Sequence, residues 1–330
     1  MVGPGVVGNG FEAIAMTATF QEALTTGDID ALRAIPKSDL HNHALLGGHR
    51  ALVSRWAGRD IAPLDRPLTS MADMHAWVDN RLGSLFAGPK GRLRAFEAAF
   101  VQAKHDGITR LEIGEDIWAV TLFDQDAAKL TRELSDVHAR VAPDIKWIPQ
   151  LGLSRHCPIS ALTSWLAPFL ELGFFETLDL SGDELAQPIE GFRPLYRMAK
   201  AAGLRLKAHV GEWGDADSVW RAVGELELDE VQHGIAAAQS EAVMRFLADN
   251  RIRLNICPTS NIMLGRVETL ATHPIRRLFD AGVVVTVNTD DVLVFGQGVS
   301  EEFLSLYQAR VFDPEELDAI RLAGLSETAG

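Results

Sequence analysis

The stretch KSDLHNHA, residues 37–44, leads from polar residues through one leucine to two histidines set one residue apart. In an extended chain, residues i and i+2 face the same side, so His41 and His43 aim their rings at one point. Similar short β-prone runs recur along the chain. They are ITRLEIGED (108–116), IKWIPQLGLS (145–154), FFETLDLSGD (174–183), LRLKAHVGE (204–212), EVQHGI (230–235), RIRLNICPTS (251–260) and VVVTVNTDD (283–291). Between most of them lie segments such as DQDAAKLTRELSDVHARV and SEAVMRFLADN, with apolar residues at helical spacing. Eight strands alternating with helices predict an α/β protein built as a (β/α)8 TIM barrel rather than a doubly wound sheet. The long gap after the first strand, residues 49–105, is expected to hold extra helices over the barrel mouth.

Polar residues are placed unevenly on these runs. His41 and His43, Glu115 and Asp116, Asp183, His209 and Glu212, His233, Ser260, and Asp290 and Asp291 all fall at C-terminal ends. In a barrel those ends form the face that carries the active site. Three histidines and an aspartate there would supply nitrogen and oxygen donors suited to zinc or a similar divalent ion, with a position left for water. The histidines at 75, 105, 138 and 273 fall in helical or loop segments and are expected at the surface. Lys207 sits two residues before His209 and shares its inward face. A lysine inside a barrel is costly unless paired, so a partner is expected at Glu112 or Glu176.

Composition narrows the function classes. Hydrophobic residues make up 47% of the 330 and charged residues 23%, a balance for a large core rather than disorder. Lys and Arg number 31 against 45 Asp and Glu, a net charge of −14. That surface repels phosphate backbones and anionic lipid, which argues against nucleic-acid or membrane binding. No apolar run approaches the roughly 20 residues needed to span a bilayer. The two cysteines, Cys157 and Cys257, form neither a disulfide framework nor a CxxC site. A soluble, cytoplasmic protein is expected, and nothing in the sequence sets its oligomeric state. The opening MVGPGVVGNGFEAIA lacks the basic start and apolar core of a signal peptide. Residues 1–15 read as an extension and 16–330 as one domain.

The blocks KSDLHNH, LSGDE, KAHVGE, QHG, ICPTSN and VNTDD, in this order, resemble the adenosine/AMP deaminase family of metal-dependent aminohydrolases. The resemblance covers most of the chain from about Pro36. It implies the barrel fold, one Zn2+ per chain (another divalent metal would also serve) and hydrolysis of an aminopurine with release of ammonia. It implies that His41, His43, His209 and Asp290 are metal ligands, Asp290 thereby belonging to the catalytic set as well. By the same resemblance Glu212 is the acid that protonates ring N1, and His233 orients the attacking hydroxide and takes its proton. The Gly182 N–H would meet N3 and Asp291 would contact N7. Such chemistry needs a metal to lower the pKa of water from 15.7 toward roughly 7. It also needs an acid to make the amine-bearing carbon electrophilic, worth about 10²–10⁴ in rate.

The sequence also departs from the pattern. Adenosine deaminases usually follow HxH with Leu-Asp-Gly, whose aspartate meets the sugar 5′-hydroxyl; here Ala44 and Leu45 follow. Their second strand usually carries an Arg and then a Pro, where this chain reads EIGEDIWAV. The substrate is therefore expected to be an adenosine-like nucleoside, a free base, a nucleotide or a modified purine. Alternatives are an amidohydrolase acting on another amine, a lactam or an ester, and a non-catalytic nucleoside-binding protein on the same scaffold. The binuclear relatives need a lysine on strand four, which FFETLDLSGDE lacks. Glu212 and His233 speak for an active enzyme, and the HxE/PCxxC signature of nucleic-acid deaminases is absent.

Overall fold

A computed structural model describes residues 18–68 and 70–327; the extension expected at 1–15 lies outside the described residues. Every predicted β run contains a strand: β1 (Lys37–His43), β2 (Ile108–Asp116), β3 (Lys146–Ser154), β4 (Thr177–Ser181), β5 (Arg205–Val210), β6 (Glu230–His233), β7 (Arg253–Ile256) and β8 (Val285–Val287). Among the described residues these make one eight-stranded sheet in sequence order, β1 through β8, with every neighbouring pair parallel. The sheet curls into a TIM barrel. Among the described residues its seam rests on one bridge, between Asn42 and Asp290. There Asp290 N–H donates to the His41 carbonyl at 2.9 Å and His43 N–H to the Asp290 carbonyl at 3.3 Å.

The last two strands end earlier than their β-prone runs. Pro258 lacks an N–H for the ladder but suits the first turn of a helix, so CPTS turns into the helix Pro258–Met263. After β8 the chain leaves the ladder so that Thr289 and Asp290 can reach β1. The insertion expected at 49–105 forms the helices Arg50–Ala57, Met71–Arg81 and Gly88–His105. It packs over the mouth in a separate apolar cluster that joins Val53, Ile61, Trp77 and Phe86 to Leu264 and Leu293. Backbone bonds tie its link to the mouth loops: Leu64 N–H to the Val294 carbonyl at 2.7 Å and Leu68 N–H to the Met263 carbonyl at 2.6 Å.

The barrel interior is polar. Lys207 is fully buried, and its Nζ lies 2.7 Å from Glu112 Oε2 and 2.9 Å from Glu230 Oε2. Of the two partners expected, Glu112 is the one used; Glu176 is exposed. Glu230 also takes Arg253 Nη2 at 2.7 Å and Asn255 Nδ2 at 2.8 Å, so two buried carboxylates face two buried cations. His75 and His105 are exposed as expected and His138 is half-buried. His273 is not at the surface: it is 3% exposed because both ring nitrogens are used inside, one by Ile275 N–H and one by Asn261.

Replacing Lys207 with Met would leave Glu112, among the described residues, with only Arg205, 3.7 Å away, while Glu230 keeps Arg253 and Asn255. Breaking a buried pair from one side costs about 3–5 kcal/mol. Denaturant unfolding of Lys207→Met should show a loss of that order, and an unchanged midpoint would show that the pair does not hold the barrel together.

Candidate active site

The residues singled out in the sequence converge at the C-terminal mouth. His41 and His43 end β1, His209 lies near the end of β5, and Asp290 follows β8. The Nε2 of His209 is 3.0 Å from that of His41 and 3.2 Å from that of His43. Asp290 Oδ1 sits 3.2 Å from His43 Nε2 and 3.8 Å from His41 Nε2. Its other oxygen accepts from Ser260 Oγ at 2.6 Å. Asp290 has φ +60° and His233 φ +63°, left-handed conformations that cost a non-glycine residue about 1–3 kcal/mol and cluster at functional sites.

Hydrogen bonding fixes the tautomers, and these decide whether a metal fits. His41 Nδ1 is 3.0 Å from the Asn255 carbonyl, which only accepts, so Nδ1 carries the hydrogen and Nε2 a lone pair. His209 Nδ1 is 3.1 Å from Asp179 Oδ2, so its N–H points at that carboxylate and its Nε2 at His41. Burial pushes His41 down to about 3, keeping it neutral. The His41 lone pair therefore meets His209 Nε2 at 3.0 Å, an arrangement that calls for a cation, a proton or a metal ion, between the two nitrogens. His43 shows the same demand. Burial lowers it, but the bond to Asp290 and the charges of Asp291, Asp290 and Asp179 outweigh that and push it up to about 10. Tetrahedral zinc at the usual 2.0–2.1 Å places its nitrogens about 3.3 Å apart. The donor set fits such an ion, and the bonds from Nδ1 to carbonyl and carboxylate are those that orient metal-bound imidazoles.

Beside this cluster, Glu212 Oε1 lies 3.4 Å from His233 Nε2. That oxygen is buried and has no hydrogen-bond partner among the described residues. Burial, then the charges of Asp290 and Glu184, raise the Glu212 carboxyl well above its ordinary range, which favours its protonated form. Burial and Asp290 do the same to Asp291, whose Oδ1 is likewise buried and unpartnered among the described residues. Gly182, at φ +92°, follows Ser181. Ser181 lines a cavity of about 50 Å³ with His43, Ala44, Leu45, Asp116 and Asp179.

Four contributors were given no role from the sequence. Asp179 orients His209, and Glu184 holds the loop bearing Glu212. Asn261 and His273 set the proton on His233: His273 Nδ1 accepts from Ile275 N–H at 3.1 Å, so its Nε2–H donates to Asn261 Oδ1 at 3.2 Å. The Asn261 amide is thereby turned, and its Nδ2 donates to His233 Nδ1 at 3.2 Å. Burial keeps His233 neutral, with its hydrogen on Nε2. At the end of β2, which carries no arginine after Arg110, one arrives from another element. Arg92, from the inserted helix Gly88–His105, donates Nε to Glu115 Oε2 at 2.9 Å and pairs Nη2 with Oε1. Trp118 lies under Arg92, and the Trp213 ring lies 3.9 Å from the Arg266 guanidinium carbon.

A parallel barrel with three imidazoles and a carboxylate at its mouth defines a metal-dependent amidohydrolase. The adenosine deaminase family model matches residues 155–329. A Treponema pallidum (strain Nichols) protein provisionally named adenosine/adenine deaminase is 36% identical over 278 residues, 84% of this chain and 93% of that one. The chain belongs to the adenosine deaminase family. Among solved structures, adenine deaminase from Arthrobacter aurescens superposes with a TM-score of 0.76 at 22% identity, covering 89% of this chain and 94% of its own. An amidohydrolase from Burkholderia ambifaria, solved with bound Zn, gives 0.74 at 22% identity, covering 89% and 85%. Among the described residues no helix is long and apolar enough to cross a membrane.

Asp179→Asn should weaken divalent-metal affinity by roughly 10–100-fold, the usual effect of losing the partner that orients a ligand. Competition against a chelator of known affinity measures this, and unchanged affinity would detach Asp179 from the metal site.

Proposed function

We propose that the protein hydrolyses the exocyclic amine of an aminopurine, a nucleoside or free base of the adenosine/adenine type, with one zinc ion held by His41, His43, His209 and Asp290. The observation that carries this reading is the donor set around the cluster. Glu212 Oε1 and Asp291 Oδ1 are buried without a partner among the described residues, and burial and neighbouring carboxylates favour the protonated form of both, so each can offer an O–H, while Gly182 offers a backbone N–H. Three donors match the three acceptor nitrogens N1, N7 and N3 of an adenine ring with its C6 at the metal.

An ion held by these residues would supply hydroxide at neutral pH by lowering the pKa of water toward roughly 7. Glu212 transfers its proton to N1, which draws electrons from C6 and opens it to attack; once the C6–O bond has formed, the C6–N bond breaks and the amine leaves as ammonia with the proton given up by the attacking oxygen. His233 presents Nε2–H to the attacking oxygen and orients it; to take up a proton there, the ring must first move its own hydrogen to Nδ1, which requires the Asn261 amide to turn over. Asp291 donates to N7 and fixes the ring in its plane.

The surroundings favour a neutral substrate over a nucleotide. Carboxyl groups of Glu115, Asp116, Asp179 and Asp290 crowd the mouth, while Arg92 is taken up by Glu115 and Lys207 by the barrel carboxylates. Leu45 packs on the mouth cluster, and Asp116 lines the same cavity, an acceptor placed to meet a sugar hydroxyl. A cavity of about 50 Å³ holds a few waters, so a purine displaces side chains on entry.

Ammonia release from adenosine, 2′-deoxyadenosine, 5′-modified adenosines, adenine and AMP, with metal content counted, tests the reading. Glu212→Gln should keep its metal and lose about 10²–10⁴ in kcat, whereas His209→Ala should lose the metal too. The acid form of Glu212 exists below its raised pKa and disappears as pH rises through it, so kcat/KM should fall on the alkaline side. Near-normal turnover by Glu212→Gln would remove the proposed acid, and no ammonia from any of the five compounds would remove the proposed substrate class.

A further inference from the structure

The loop that carries Glu212, residues 211–214, joins β5 to the helix Ala216–Leu226 and has no regular structure of its own. Its four consecutive N–H groups turn toward one point, the carboxylate of Glu184. Gly211 N–H donates to Oε1 at 2.7 Å. The N–H groups of Glu212, Trp213 and Gly214 donate to Oε2 at 3.1, 2.7 and 3.1 Å. Successive amides arranged this way form a concavity for an anion, and hydrogen bonds to a charged acceptor are about twice as strong as neutral ones. Glu184 is 4% exposed.

The loop's sequence suits that occupant. Gly211 has φ +71°, and a Cβ there would lie 2.3 Å from Val219 Cγ2. A Cβ on Gly214 would lie 2.6 Å from Glu184 Oε1 itself. Arg266 covers the Trp213 ring. The backbone of Glu212 is thus gripped on one side, while its side-chain Oε1 is left without a partner among the described residues and faces His233.

We propose that Glu184 is the positioning residue for Glu212: by filling the four-amide concavity it fixes the loop so that the Glu212 carboxyl points into the site. This rests on Glu212 acting as the acid. It assigns a role to the last residue of LSGDE, of which only Gly182 was assigned a contact from the sequence. Glu184 acts through the backbone of its neighbour and touches no substrate.

Two near-isosteric variants of the full chain, Glu184→Leu and Glu184→Gln, separate positioning from general stability. Leu removes all four acceptor contacts, whereas the Gln carbonyl keeps up to three of them. With Leu, kcat should fall at least tenfold while KM stays within about twofold and metal content is unchanged. Amide exchange should accelerate at residues 211–214 and stay slow in β1–β8. Gln should recover part of both effects. Wild-type kcat in Glu184→Leu would overturn the proposal. So would a loss of kcat and metal in proportion, or faster exchange spread over the whole barrel. Should the Leu variant not fold, the Gln variant decides alone, by whether its kcat falls together with faster exchange at Gly211. If the wild-type enzyme releases ammonia from none of the purines, the substrate reading fails separately. Exchange at 211–214 then still shows whether Glu184 holds the loop.

Discussion

The Nε2 atoms of His41 and His209 meet at 3.0 Å. Only a fixed orientation of both rings keeps them aimed at one point, and much of the mouth serves to fix it. The Asn255 carbonyl fixes one ring and Asp179 the other. Asn255 is itself held from below, its side-chain amide donating to Glu230 and Gln232 and its oxygen accepting from Thr286. Glu230 in turn is balanced by Lys207 and Arg253. The usual filling of such a barrel is layers of branched aliphatic side chains. Here a polar column runs up the inside, and it ends on His41. A buried ionic core of this kind adds little stability by itself; holding the rings in one orientation is a reason to keep one.

The same logic explains why the strained positions are where they are. His233 and Asp290 both adopt left-handed backbone conformations, and each is over-determined by its neighbours. Asp290 is held by two backbone bonds to β1 and by Ser260. His233 is held by an amide whose own orientation is dictated two residues further along the relay, by the start of the helix Ile275–Asp280. Strain at these two residues is tolerated because several independent contacts would have to break together to release it.

The barrel was legible because its signals are local. Strand periodicity, the punctuation between strands and the crowding of polar residues at one end of each run lie within ten residues of sequence. β2 matches its predicted run residue for residue. The convergence of the two imidazoles was legible for the same reason, since i and i+2 on one strand settle where His41 and His43 point. What escaped was held through space. Arg92 reaches Glu115 from another element, and His273 looked like a loop residue until its two nitrogens found partners. Asp179 left a faint trace, a lone carboxylate inside the apolar strand Thr177–Ser181, which a buried position makes expensive unless it orients something. Glu184 left none, because its partners are backbone amides, which every sequence has.

The barrel's seam is made by the residues that also supply the donors: Asn42 bridges to Asp290, and His41 and His43 exchange backbone bonds with it. His41 emerges in synthesis well before Asp290. A nascent barrel that lacks β8 and the segment after it has neither the closing bridge nor the carboxylate, so the closed barrel and the full donor set come into being in one step. An ion seated there would join β1 to the segment after β8 much as a covalent crosslink would, adding its binding energy to the folded form alone. The catalytic centre would then double as the clasp of the fold.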